Sequence, residues 1–324
     1  MTSCLLHQNT FKRNEANLQS VADGRVDFHL LQDDGAVVHA ETGDVIDAPD
    51  PNIVFGNADV WFGPQARLFF KFVLEASDLK WFQSAAAGVD LPALQAVAEK
   101  AQYYTTNHTQ SEAMAEWAIW QALDWMKRGP DHRENERSGI WERLDQREIM
   151  GSTWLIVGYG AIGQAVARRA RALGAYTVGV RRRGGEDEHA DEMITPDELL
   201  PALGRADVVL LSLPLTEATE NMANADFFAA MKSNALFMNL GRGKLVDEAA
   251  LIAELDTGKP AHAALDVTAT EPLPDASPLW HHPKITITPH DSSMTWGTVL
   301  RADETFLRNL GRYLDGKPLL HVLK

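Results

Sequence analysis

Cysteine is nearly absent from this chain. Cys4 is the only one, so no intrachain disulfide can form and a cysteine-ligated zinc site is excluded. Long apolar runs are missing too: none approaches a membrane span, and VVLLSLPL (208–215) reads as a buried strand. Basic residues are outnumbered, 30 Lys and Arg against 45 Asp and Glu, which gives a net charge of −15. That balance argues against a nucleic-acid or anionic-membrane surface, because counterion release needs clustered cations. It also offers no long-range attraction to an anionic ligand, so anion specificity must come from local donors. The stretch MTSCLLHQNTFKRNEAN has no basic segment leading into an apolar core. A secretory signal is therefore not expected, and a reducing cytoplasm is the default location. There is no internal repeat and no low-complexity tract.

What is present is a βα rhythm in two blocks. A chain of 324 residues with 45% apolar residues is long enough for two globular domains. The first hundred residues alternate strand-like and helix-like pieces (CLLHQ, KRNEANLQSVADG, VDFHLLQ, NIVFGN, LKWFQSA), which implies a small parallel sheet. A helix is expected over 109–127, with Thr109 and Glu112 at capping-box spacing and Gly129-Pro130 as its stop. Its apolar residues cover most of its circumference, so it reads as a buried crossing between domains. The mixed-charge stretch 131–148 reads as a solvated face around one anchoring residue, Trp141. Further strands are expected at 153–158, 176–181, 207–213, 235–240, 263–267 and 285–288. Thr195 to Glu198 has capping-box spacing, and Asn224 and Asp247 are N-cap candidates. An amphipathic helix from Trp296 to Leu314 returns the chain to the first domain. The fold class is α/β: a Rossmann doubly wound cofactor domain over 111–291, and a smaller flavodoxin-like βα substrate domain from 1–110 and 292–324.

Gly158-Tyr159-Gly160-Ala161-Ile162-Gly163 follows the apolar run STWLIV and opens a helix, the context a dinucleotide fingerprint requires. Gly158 permits the tight turn, Gly160 lets backbone approach a pyrophosphate, and Gly163 lets helix and strand pack closely. The amides of the first helical turn, at Ala161, Ile162 and Gly163, then face the phosphates. About 20 residues on, where an NAD-binding unit carries an acid for the ribose 2′-hydroxyl, this chain has Arg181-Arg182-Arg183. A guanidinium can hold a 2′-phosphate through charge-assisted hydrogen bonds, so NADP(H) is expected over NAD(H). The alternative is a solvated basic turn balancing Glu186-Asp187-Glu188.

Three polar residues each follow a strand-like run: Arg242 after ALFMNLG, Glu271 after AALDVTAT, and His290 after ITITP. A guanidinium can clamp a carboxylate and carbonyl in one plane. An imidazole titrates near neutrality, so His290 can give a proton to a carbonyl oxygen as hydride arrives. A carboxylate paired to the far ring nitrogen would raise that pKa and fix the ring. Taken singly, each has an ordinary reading as surface cation, loop acid or core histidine. Together they suit reduction of a 2-oxo acid. The pair His281-His282 raises a metal, but adjacent histidines in a loop rarely face one ion, so no metal is expected.

The stretches IVGYGAIGQAVARRARALGA, LLSLPLTEAT, MNLGRGKLVDEAALIAEL, AALDVTATEPLPDASPLW and ITITPH resemble the D-isomer-specific 2-hydroxyacid dehydrogenase family. The resemblance implies that Arg242 binds substrate, that Glu271 pairs with His290, and that His290 is the acid/base. It also implies that Asp266 contacts the nicotinamide carboxamide and that Leu213-Pro214 walls its pocket. SAAAGVD (84–90) resembles the family's carboxylate loop, in which amides near Ala87, Gly88 and Val89 hold the substrate; successive N–H groups can form such an anion nest. With Arg181 and Arg182, the branch most resembled is the NADPH-using glyoxylate/hydroxypyruvate and 2-ketoacid reductases, and a homodimer is implied. Asp291 and the run Thr268-Ala269-Thr270 depart from the family pattern and leave substrate preference and pH optimum open. A non-catalytic, dinucleotide-sensing corepressor of the same architecture would keep the same three residues and is the alternative.

Overall fold

The computed structural model describes residues 2–324 except Phe62, Ala87 and Asp90. The chain divides into two compact units: Met1–Gln110 with Thr295–Lys324, and Ser111–Met294.

The first unit holds strands β1 (Thr2–His7), β2 (Val26–Leu31), β3 (Val37–His39), β4 (Ile53–Gly56), β5 (Trp81–Ser84) and β6 (Tyr103–Thr105) in the order β3-β2-β1-β4-β5-β6. All neighbours are parallel except β2 and β3, which form an antiparallel edge. Without that edge strand the order is the flavodoxin-like one, with chain direction switching between β1 and β4. Alternate residues serve opposite faces. Cys4, Leu6, Phe28 and Phe55 join one core, while Leu5, Leu31, Val54 and Phe82 join the other. Cys4 is wholly buried, and that burial pushes its thiol pKa up.

The helices of this unit are α1 (Gln8–Ala22), α2 (Ala58–Trp61), α3 (Ala66–Glu75), α4 (Pro92–Lys100) and, from the C-terminal segment, a long helix over Trp296–Leu314. One guanidinium ties three of them. Arg13 Nε donates to Asp303 Oδ2 of the C-terminal helix (2.7 Å), and Nη2 donates to Asp59 Oδ2 of α2 (2.8 Å). Asp303 is 2% exposed, so an ion there needs its partner.

The second unit begins with α5 (Ser111–Met126) and α6 (Gly129–Arg137). Strands β7 (Thr153–Val157), β8 (Tyr176–Val180), β9 (Glu192–Ile194), β10 (Val208–Leu211), β11 (Leu236–Asn239), β12 (His262–Leu265) and β13 (Ile285–Ile287) follow. They form one parallel sheet in the order β13-β12-β11-β10-β7-β8-β9. This is the Rossmann order with one added strand, and its switch point lies between β7 and β10. Leu155, Val157, Val209 and Leu211 face one core; Trp154, Ile156, Val208 and Leu210 face the other. Each fully buried aliphatic or aromatic side chain contributes roughly 1.5–3 kcal/mol, so both faces of the sheet are held firmly. Helix α7 (Ala161–Ala172) packs on α5 through small residues (Ala115, Ala118, Ala122 against Ala165, Ala167, Ala170), which permit close helix approach. Helices α8 (Leu199–Leu203), α9 (Ala225–Ala230) and α10 (Glu248–Thr257) complete the unit, and the Trp296–Leu314 helix of the first unit is α11.

Three local expectations need correction. Glu112 does not close a capping box with Thr109; its carboxylate pairs instead with Arg168 and Arg169 of α7. Helix α5 stops at Met126, near its expected end, but Gly129-Pro130 opens a second helix. Arg128 takes a left-handed conformation (φ 57°) and α6 starts at once, with proline in its first turn, where no N–H is needed. Trp141 anchors nothing within its own chain, being 98% exposed on a segment with neither helix nor strand over 140–148. By contrast, the capping box at Thr195 and Glu198 forms, and Asn224 and Asp247 cap α9 and α10.

Candidate active site

In a parallel sheet the strand carboxyl ends share one edge, and ligands bind there at the switch point. The loop after β7 is the glycine fingerprint. Gly158 has φ 97°, and a Cβ on it would strike the backbone nitrogen of Leu213 at 2.7 Å. Ser212 Oγ donates to the Gly158 carbonyl (2.8 Å), so the Leu213-Pro214 turn after β10 is bound to the phosphate loop. A Cβ on Gly163 would lie 2.6 Å from the Gly158 carbonyl oxygen, so glycine lets α7 start close against the turn. Gly160 differs: among the described residues no heavy atom lies within 4 Å of a Cβ placed there. No side chain caps α7 at Gly160, so the amides of its first turn at Ala161, Ile162 and Gly163 are left for a ligand. An open face beside uncapped helical amides fits a pyrophosphate.

Beyond β8 a cavity of about 460 Å³ is lined by Arg181, Arg182 and Arg183. The three are not equivalent. Arg181 folds back on its own loop, Nε donating to the Gly184 carbonyl (2.5 Å) and Nη2 to that of Glu186 (3.1 Å), while Arg182 and Arg183 are exposed. Tyr159 steadies the same loop, its hydroxyl donating to Asp187 Oδ1 (3.3 Å). Burial, with the Asp187 charge beside it, pushes the Tyr159 phenol pKa up. The carboxylates of 186–188 therefore do not neutralise Arg181 side chain to side chain.

The polar trio sits after β11, β12 and β13, three neighbouring strands. His290 Nδ1 lies 2.8 Å from Glu271 Oε2. Glu271 is itself fixed, its Oε1 accepting the Thr268 amide (3.1 Å). Arg242 stands one strand over, where Asn239 organises its turn by donating to the Arg242 carbonyl (2.9 Å) and accepting the Gly241 amide (3.0 Å). Gly243 lets that turn abut the Glu271 loop, since a Cβ there would lie 1.9 Å from the Thr268 carbonyl group. His290 has φ 54°, a left-handed conformation that is costly outside glycine and clusters at functional sites.

Asp266, 1% exposed, is committed to this loop: its carboxylate accepts from Thr288, Asp291 and Ser292. Thr288, Ser292 and Trp117 were not singled out from sequence, because nothing local marks an indole 171 residues from its hydroxyl partner. Asp291 is exposed, and its amide rather than its carboxylate joins the site. In the first unit, Gly88 and Val89 follow β5 and are half-buried; Ala87 lies outside the described residues. Among the described residues no group of three or more His, Cys, Asp or Glu is placed to hold a metal, and no helix is long and apolar enough to cross a membrane.

A Rossmann sheet with an acid–imidazole pair on its carboxyl edge defines a dinucleotide-dependent oxidoreductase. Residues 119–292 match the model of the D-isomer specific 2-hydroxyacid dehydrogenase NAD-binding domain, and the chain belongs to that family. It is 33% identical to the human glyoxylate reductase/hydroxypyruvate reductase over 263 residues, 78% of this chain and 80% of that one. A D-isomer specific 2-hydroxyacid dehydrogenase family protein from Aeromonas salmonicida superposes with a TM-score of 0.80 at 28% identity, covering 100% of this chain and 98% of that one. The NADPH-dependent glyoxylate/hydroxypyruvate reductase from Sinorhizobium meliloti, solved with NADP and sulfate, does so with a TM-score of 0.76 at 27% identity and the same coverage. The protein is thus an enzyme of 2-hydroxy and 2-oxo acids that uses a nicotinamide dinucleotide.

Proposed function

We propose that this enzyme reduces a small 2-oxo acid of the glyoxylate or hydroxypyruvate kind to its (R)-2-hydroxy acid, with NADPH as the preferred dinucleotide. The observation that carries the reading is the Glu271–His290 pair, 2.8 Å apart at the carboxyl edge of the Rossmann sheet. The dinucleotide, when bound, supplies the hydride that reaches the carbonyl carbon. His290 supplies the proton. With Nδ1–H given to Glu271, Nε2 holds the proton destined for the carbonyl oxygen, and the carboxylate stabilises the imidazolium before transfer. Arg242 holds the substrate carboxylate. In an acidic protein such a local donor replaces long-range attraction.

The arginine-lined cavity and the NADPH-dependent relative both support the dinucleotide preference. Converting Arg181 to Asp and Arg182 to Ser together is expected to remove about 1.5–3 kcal/mol of discrimination, the range for hydrogen bonds to charged groups. The preference then passes to NADH. The deciding assay is a panel of 2-oxo acids with NADPH and NADH in parallel. No turnover of any 2-oxo acid would refute the activity, and unchanged cofactor selectivity in the double variant would refute the 2′-phosphate assignment.

The segment 140–148, with Trp141 and Ile140 exposed, is proposed to join two copies of the chain. Sedimentation equilibrium is expected to give a dimer, weakened by Trp141→Ala; a monomeric wild-type protein would end this assignment.

A further inference from the structure

The family role implied for Asp266 is a cofactor contact, yet its side chain faces the loop that carries His290. The amide of His290 donates to the Asp266 carbonyl (2.8 Å), that of Asp291 to Oδ1 (3.1 Å), and that of Ser292 to Oδ1 and Oδ2 (3.2 and 3.3 Å). The Ser292 hydroxyl also donates to Oδ2. Three consecutive N–H groups curl around one residue, the first on its backbone carbonyl and the next two forming a nest closed on its carboxylate. Such a nest requires a left-handed residue, and here that residue is His290 (φ 54°). One more donor completes the set. Thr288 Oγ1 donates to Oδ1 (2.6 Å) and accepts the Trp117 indole N–H (3.0 Å). Because Trp117 occupies the hydroxyl as a donor, the Thr288 proton is committed to Asp266.

We infer that Trp117 and Thr288 are positioning residues for His290, acting through Asp266: the chain from α5 to the carboxylate keeps the nest closed and the imidazole aimed at Glu271. The inference rests on His290 being the proton donor. Neither residue touches the reacting atoms. Loss of the Thr288 hydroxyl leaves Oδ1 held by the Asp291 and Ser292 amides alone, the nest loosens, and His290 relaxes toward ordinary backbone angles, carrying its ring off Glu271.

The test compares Thr288→Val, Thr288→Ser, Trp117→Phe, the Trp117→Phe/Thr288→Val double variant and His290→Ala in hydroxypyruvate reduction with NADPH. Dinucleotide binding is followed by intrinsic fluorescence and folding by circular dichroism. Thr288→Val is expected to lower kcat about ten- to a hundredfold, the scale of an ångström-level misplacement, with smaller changes in KM and dinucleotide affinity. Thr288→Ser should restore most of the rate. Trp117→Phe should fall between, and the double variant should be no worse than Thr288→Val, because both act through one hydroxyl. Should Thr288→Val fail to fold, Trp117→Phe carries the test alone, since it keeps the hydroxyl and removes only its orienting donor. An active His290→Ala would overturn the reading of the site itself. An inactive His290→Ala beside Thr288→Val and Trp117→Phe with wild-type kcat would overturn this inference alone, as would equal damage from Thr288→Ser and Thr288→Val.

Discussion

Replacing His290 with alanine is expected to lower kcat for reduction by about 10²–10⁴-fold, the usual worth of one positioned general acid. That corresponds to roughly 3–5 kcal/mol of transition-state stabilisation. Dinucleotide affinity should barely move, because the phosphate loop lies beyond β7, four strands from β13, which leads to His290 in the same sheet. Single-turnover kinetics and calorimetric titration with the dinucleotide check the two halves. A variant within threefold of wild type, or one that no longer binds dinucleotide, would contradict the assignment.

Arg13→Met is expected to be the most damaging surface-distant substitution, costing about 3–5 kcal/mol at neutral pH, as breaking a buried ion pair does. Methionine keeps the bulk of the side chain but leaves Asp303 and Asp59 facing each other without a cation. In the wild type, burial lifts the Asp303 carboxyl above the usual range against the hydrogen bonds from Arg13 and Asn14. Asp59 is also penalised by burial, yet hydrogen bonds from Arg13 and Thr10 hold it below that range. Without the guanidinium both folded-state values rise. A carboxyl raised in the folded state contributes stability below its unfolded value and loses it as pH rises through the folded one. The deficit of the variant should therefore be small near about pH 4 and open toward about pH 7, across the carboxylate range. Unfolding measured across that range gives the answer. A deficit under about 1 kcal/mol, typical of exposed pairs, or one that grows toward acid, would show the network to be dispensable.

Strands β7, β10 and β11 were legible because each is a run of four or five mostly apolar residues facing two cores, a pattern that survives without tertiary information; the three-residue strands β3, β6 and β9 are too short to show it. The site was legible for the same reason. In a parallel sheet every strand carboxyl end falls on one edge, so Arg242, Glu271 and His290 could be placed together from order alone. What escaped was whatever depends on a distant partner. Glu112 has the spacing of a capping residue, but two arginines on α7 outcompete a backbone amide for its carboxylate. Trp141 looked like an anchor because a lone tryptophan among charges usually is one, and only the folded chain reveals that it packs on nothing of its own. That Arg181 also donates to carbonyls three and five residues on has no mark in the sequence either. The left-handed turn at His290 has no sequence mark at all, since no glycine stands there and its amide's partner, Asp266, follows a different strand.

The lone thiol on β1 has a practical consequence. Cys4 is sealed inside the first unit and held in its protonated, unreactive form, so maleimides and similar reagents should pass the native enzyme by. The chain is in effect a blank background for labelling. A Glu142→Cys variant would carry a single addressable probe beside the proposed seam between copies, where cross-linking or spin–spin distances could be read without first removing a natural cysteine.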